Sequence, residues 1–337
     1  MILAMENSTP FSRCLKISLL ALLAACSAAV FVPVYAQQTY PPRSVRLLVG
    51  FPPAGSTDII ARLVAPGLSE FFRQQFVVDN RPGAGGSIAA ELAARAAPDG
   101  CTLLVVPAAF ASNVSLYAKL PYDPLRDFAP ITRIAAIHNV LVVHPSVLVR
   151  SVKELVALAR RNLGQLVFAS AGNGSASHLA MEMFRITVGG PPMLHVPHRG
   201  MGPAVLDTVG GHVDALMSTV PAAIPHLRDK RLRALAVASA KRAAPLPDVP
   251  TFHEAGYPDF EAVGWNAVLA TAGTPYDTIT RLNLAFVQIA RSPEVKARLA
   301  TQGAEVIGDT PDEFAAYLRG EIAKWAQVVK MSGAKID

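Results

Sequence analysis

The chain has 337 residues, 51% of them hydrophobic, with 31 Lys plus Arg against 25 Asp plus Glu and a net charge of +6. That length suffices for two domains of ordinary size, each with a buried core. The positive excess is modest and spread along the chain, and no Lys/Arg run is interleaved with aromatics, which argues against nucleic acid as a partner.

Residues 1–36 read as an export segment rather than part of the fold. Arg13 and Lys16 give a positive start, Leu15 to Val34 is a long apolar run, and Val34-Tyr35-Ala36 supplies the small residues of a cleavage site. The mature chain then begins near Gln37, in the periplasm. Leu23-Ala24-Ala25-Cys26 offers a competing lipoprotein site, with Cys26 as the lipid anchor. Cleavage after Ala36 leaves Cys101 as the remaining cysteine, so stability rests on packing rather than on an internal disulfide.

Beyond residue 37, short apolar runs alternate with helical patterns. Strands are expected at 45–50, 76–79, 102–107, 140–144, 166–170, 193–197, 213–217 and 232–238, with a further strand from 264. Helices are expected at 57–72, 87–97, 151–162, 176–187, 202–210 and 221–229. Such alternation predicts an α/β fold with parallel sheets and helices on both faces. The proline-rich stretch 245–260 reads as an irregular connection, and 275–330 as two helical patterns, the last opened by Thr310-Pro311-Asp312-Glu313.

One grammar occurs twice. An apolar strand, a Gly/Ser loop and a helix follow one another at 45–63 and again at 166–184, which suggests two similar α/β domains that each present a loop. A helix N-terminus leaves backbone N–H groups unpaired and carries about half a positive charge. Small residues let an anion approach that end, and hydroxyls add donors. Ala54-Gly55-Ser56-Thr57 and Ser170-Ala171-Gly172-Asn173-Gly174-Ser175 are built in this way, and neither contains a cation. Asp58 is assigned a structural role at its helix N-terminus, since its charge would repel an acid.

Other motifs are weaker. Arg81 to Ser87 lacks the ending of a phosphate-binding loop and suits a turn. Gly172-x-Gly174-x-x-Ser177 lacks the third glycine of a dinucleotide fingerprint. His195-x-x-His198 has no nearby acid to complete a metal site. Ser175 and His178 lack the elbow of a hydrolase nucleophile. No catalytic residue, metal or cofactor is expected.

The segments VGFPPAGSTDIIAR (49–62), VVDNRPGAGGSIAAE (77–91), FASAGNGSASHLAMEMF (168–184) and HVPHRGMGPAVLDTVGGHVDAL (195–216) occur in one order along the chain, as does LPDVPTFHEAGYP (246–258). In this the sequence resembles the Bug proteins, the extracytoplasmic solute receptors of tripartite tricarboxylate transporters (TctC type). The resemblance implies a type II periplasmic-binding-protein fold, α/β, with two domains and a ligand cleft between them. Their boundaries are expected at 37–138 plus 265–337 and at 139–264. It implies a monomeric, non-enzymatic receptor that captures a small organic acid for membrane transporter subunits or, alternatively, for a sensor kinase. Carried over by motif, the first domain would bind through Phe51, Ala54, Gly55, Ser56 and Thr57. The second would use Ser170, Asn173, Ser175, Ser177 and His178. Ala108, Ala109, Phe110, Thr219, Pro221, Ala222 and Trp265 would complete the pocket. Ala54 stands where the family usually has glycine. Ala108-Ala109-Phe110 replaces a more hydroxylated loop, which predicts a less polar pocket favouring a monocarboxylate or aromatic acid.

Overall fold

The computed structural model describes residues 40–335, apart from 54, 163 and 302, so the signal segment, Cys26, Ala36 and Ala54 lie outside it. Two sheets organise the chain. In the first lobe β1 (Val45–Val49), α1 (Ser56–Phe72), β2 (Phe76–Asn80), α2 (Ser87–Ala94), β3 (Thr102–Pro107), α3 (Ala109–Leu116) and β4 (Phe128–Ile137) follow in sequence. The second lobe continues with β5 (Asn139–Val143), α4 (Val152–Arg161), β6 (Val167–Ser170), α5 (Ala176–Thr187), β7 (Leu194–Pro197), α6 (Met201–Val209), β8 (Ala215–Thr219), α7 (Val220–Arg228) and β9 (Arg233–Val237). The chain then returns to the first lobe with β10 (Gly264–Thr271), α8 (Tyr276–Ala290), α9 (Pro293–Thr301), β11 (Ala304–Val306) and α10 (Pro311–Ser332).

The six-stranded sheet is ordered β11-β4-β10-β3-β1-β2 and the five-stranded sheet β7-β6-β8-β5-β9. The two orders correspond. In each, three parallel strands (β2-β1-β3, β7-β6-β8) are followed by one antiparallel strand that arrives from the other lobe. That strand is β10 in the first sheet and β5 in the second. The lobes are thus joined twice, through His138 between β4 and β5 and through residues 238–263 between β9 and β10. The described residues from Tyr40 onward nonetheless pack as one unit, and a continuous buried cluster runs from Leu48 and Leu104 to Phe168 and Phe184, with Phe314 and Trp325 of α10 in it.

Most elements form where periodicity places them. In α1, Ile60, Val64, Leu68 and Phe72 recur on one face and are buried. Four such side chains contribute roughly 6–12 kcal/mol gross, far more than the ~1 kcal/mol that a capping side chain supplies. The helix therefore keeps its first turn although its N-cap is Gly55, with no side-chain cap.

Three expectations need correction. The tail folds as three helices and a short strand, because Pro293 starts a separate helix right after α8. The segment after β3 is no open loop but the first turn of α3. And β4, with ten residues, was not anticipated, because Pro130 in FAPITRIAAI weakens the strand signal. The register with β10 shifts next to the Leu269–Pro130 pair, where proline has no N–H to give the ladder. Gly50 and Gly86 explain the glycine turn after β2: a Cβ on Gly50 would lie 2.6 Å from the Gly86 Cα.

Candidate functional site

At the carboxyl ends of the parallel strands, both lobes face a cavity of about 870 Å³. Five helices begin on its wall: α1 at Gly55-Ser56-Thr57, α3 at Ala108-Ala109, α5 at Ser175-Ala176, α6 at Gly200-Met201 and α7 at its N-cap Thr219. Each parallel strand feeds a helix whose N-terminus must lie at that strand's carboxyl end, so the doubly wound topology collects these positive ends in one place. Phe51, Pro52, Pro53, Pro107, Ile137, Met201 and Trp265 supply apolar surface, and Asn139 and Asn266 add side-chain amides. No Asp or Glu lines the cavity among the described residues. A groove of similar volume, about 860 Å³, lies between α1, α8 and α9, but no helix N-terminus of the first lobe's Gly/Ser loop opens onto it, and its charged lining, Arg62 and Arg298 with Glu70 and Glu294, is balanced.

The first lobe presents open donors. The Ser56 and Thr57 N–H groups have no acceptor among the described residues, because Gly55 has no side chain to cap them. The Thr57 hydroxyl accepts a 3.0 Å bond from Asn266 Nδ2, which leaves its own proton to give. Asp58 is 2% exposed and takes no part in the cavity wall. It accepts from Arg62 Nε and from Asn80 Nδ2 at 2.9 Å, and the same Asn80 group donates to the Phe51 carbonyl at 3.0 Å. Asp58 thus fastens the loop from behind.

The second loop is tied back. Ser177 Oγ accepts from the Ala171 N–H at 2.8 Å, Ser170 Oγ from Gly172 at 3.1 Å, and His178 Nδ1 from Gly174 at 3.1 Å. Ser175 Oγ caps α5 by accepting from the His178 N–H. His195 Nε2 lies 2.6 Å from Ser170 Oγ, and its ring stacks on that of His178. Burial, with the neighbouring His178 second, pushes His195 down to about 4; burial alone lowers His178. The Gly174 bond needs an unprotonated His178 Nδ1, and these depressed pKa values keep it so. What this lobe leaves open are the Ala176 and Ser177 amides of the first turn of α5, which have no acceptor among the described residues.

Of the residues named from sequence, Phe51, Gly55, Ser56, Thr57, Ala108, Ala109, Ser175, Thr219 and Trp265 line the cavity. Ser170, Ser177 and His178 are buried behind it, holding the loop rather than facing the space, and Asn173 is exposed off the wall. Phe110 is turned into the core, stacked on Tyr122 at 5.5 Å and edge-on to Phe128. It therefore adds no aromatic surface to the cavity, and that ground for expecting an aromatic acid falls away. Pro221 and Ala222 lie beyond the wall; Pro221 packs against the tight turn at Gly303. Trp265 is fixed through Nε1, which donates to Glu321 Oε2 at 3.1 Å.

The wall also carries a cation that neither Gly/Ser loop supplies and that was not named from the sequence. Arg199 lines the cavity from the second lobe, exposed, with no hydrogen bond or ion pair among the described residues. Its signal was present in the sequence: His198-Arg199-Gly200 is a third strand–loop–helix junction, between β7 and α6. Asn139 and Asn266 escaped notice because they sit on the strands that cross between lobes, where no local pattern marks the inward side.

Two corresponding α/β lobes, two interlobe connections and a cavity walled by helix N-termini define a two-domain solute-binding protein. Residues 60–334 match the family described as "Tripartite tricarboxylate transporter family receptor". Protein BugT of Bordetella pertussis is 39% identical over 312 residues, covering 92% of this chain and 95% of that protein. Among solved structures, R. palustris Rpa4515 with adipate has a TM-score of 0.74 at 37% identity, over 88% of this chain and 100% of that one. MatC from Rhodopseudomonas palustris with bound malate has a TM-score of 0.71 at 32% identity, over 86% of this chain and 100% of that one. The periplasmic binding protein BugD is similar at a TM-score of 0.71 and 31% identity, over 88% and 99%. The chain belongs to the tripartite tricarboxylate transporter receptor family, a family of solute-binding receptors rather than enzymes.

Proposed function

We propose that this chain is a periplasmic receptor that encloses a small organic acid between its lobes and hands it to the membrane subunits of a tripartite-type transporter. One observation carries the reading: helix N-termini from both lobes meet at one cavity whose wall holds no carboxylate among the described residues. The open first-turn amides of Ser56, Thr57, Ala176 and Ser177 are donors suited to a carboxylate, and the dipoles behind them favour its charge. The adipate of Rpa4515 and the malate of MatC, both held by relatives above 30% identity, support an acid as ligand.

In this reading the protein is exported by a signal cleaved after Ala36 and acts as a monomer. Residues 37–138 plus 265–337 form one closing body and 139–264 the other, hinged at His138 and at the 238–263 connection. Closure would place the ligand between α1 and α5. A thermal-shift screen across a few dozen organic acids tests the assignment. At a hundredfold excess over its dissociation constant a true ligand adds about 2.7 kcal/mol. A panel without any stabilising acid would overturn the reading.

A further inference from the structure

Arg199 is the one charged side chain on the cavity wall among the described residues. It is exposed and unpaired among the described residues, whereas Arg62 is engaged with Asp58, Arg133 with Asp309 and Arg185 with Glu182. It precedes Gly200, whose φ of 118° is in the range that favours glycine and which caps α6 without a side chain. The Gly200 N–H donates to the Ala171 carbonyl at 3.2 Å, which ties the Arg199 backbone to the same loop that α5 braces. Its position is therefore set by the second lobe's site and not by a free surface loop.

The donors of the wall fall into two kinds. The α1 and α5 ends offer amides and hydroxyls, which take one carboxylate without a cation. Arg199 is a separate, full positive charge with a planar fork, the geometry that carboxylates pair with through two parallel hydrogen bonds. A ligand with a single acid group satisfies one kind and leaves the other to water.

We propose that Arg199 is a specificity-determining residue that pairs with a second anionic group of the ligand, so that the cavity selects a small dicarboxylate over a monocarboxylate of equal length. This rests on the carboxylate reading above and adds to it the class of acid. It replaces the monocarboxylate preference expected from Ala108-Ala109-Phe110, whose aromatic is absent from the wall.

Calorimetry with hexanedioate and hexanoate on the mature chain tests it, using wild type, Arg199→Gln and Arg199→Lys. Wild type should bind the diacid about tenfold or more tightly than the monoacid, the scale of one charge-assisted pair. Arg199→Gln should bring that ratio close to one, and Arg199→Lys should recover part of it. The preference should also weaken from low to high salt, since the charge is exposed. Because Arg199 has no partner among the described residues, unliganded melting curves of the variants should match wild type, separating a lost contact from lost folding. A wild-type diacid preference that survives Arg199→Gln overturns the proposal and leaves the receptor reading standing. Wild type binding both acids equally well also overturns it. Failure of both acids, followed by failure of the wider acid panel, removes the receptor reading and this inference together.

Discussion

The imidazoles of His178 and His195 lie face to face, their centroids 4.0 Å apart and their planes 7° from parallel, directly behind the loop that opens α5. Two neutral rings stack there without cost, whereas two charged ones would repel. The folded pKa of His195, about 4, lies below the ordinary value near 6.5, and His178 is lowered in the same direction. The sign follows. The unfolded chain takes up protons that the folded chain refuses, so stability is full above about pH 6.5 and declines as pH falls toward 4. Thermal midpoints should drop across that window, less steeply in His195→Gln. Equal slopes in the two proteins would remove the histidine pair as the cause.

Gly55 is the N-cap of α1, with φ −74° and ψ 161°, a conformation that any residue adopts, and a Cβ there would meet only the Pro52 carbonyl at 3.4 Å. Its glycine is therefore not demanded by the backbone. Aspartate at this position should cap the helix and stabilise the empty protein by a few tenths to about 1 kcal/mol. It should also occupy the amides proposed for the ligand and repel its charge. Gly55→Asp is expected to raise the unliganded melting temperature while acid binding falls at least tenfold. Retained affinity would show that the α1 end does not hold the acid.

Phe110 separates packing from recognition. It stacks on Tyr122 and meets Phe128 edge-on within the core, so Phe110→Ala should cost about 3–5 kcal/mol of stability. Acid affinity measured well below the lowered melting temperature should change little. A large change in affinity with little loss of stability would mean that the side chain reaches the cavity after all.

Both tryptophans of the chain donate to one carboxylate oxygen: Trp265 Nε1 and Trp325 Nε1 each lie 3.1 Å from Glu321 Oε2. Trp265 lines the cavity and Trp325 does not. Acid titration should therefore change intrinsic fluorescence in wild type and Trp325→Phe, and the response should vanish in Trp265→Phe. Glu321→Ala leaves two buried indole N–H groups without their acceptor and should cost about 2–6 kcal/mol. Chemical denaturation measures that loss, and a loss under 1 kcal/mol would count against the shared bond as a support of the cavity wall.

Local pattern carried much of the fold. The apolar runs at β1, β3 and β6 and the period of α1 and α5 are properties of contiguous residues, and burial follows from them directly. The repeated strand–loop–helix grammar likewise pointed to the two loops, because the donors of a helix N-terminus are set by chain direction alone. The interrupted β4 escaped because its pairing with β10 is what makes Pro130 tolerable, and that partner lies more than a hundred residues away.

Which side chains face the cavity was a different matter. Ser170, Ser177, His178 and Phe110 have polar or aromatic groups apt for binding, yet each is drawn inward: Ser170 and Phe110 by His195 and Tyr122, which lie further along the chain, and Ser177 and His178 by the Ala171 and Gly174 amides of their own loop. Arg199, Asn139 and Asn266 reach the wall because β7, β5 and β10 are placed beside strands distant in sequence. The sequence by itself determined the helix ends and their partial charge, since hydrogen bonding within a helix depends only on neighbours a few residues apart. Tertiary structure alone decided which ends converge, which hydroxyls are spent on bracing and that Arg199 stands on the cavity wall, because those depend on strand order and on contacts between distant segments.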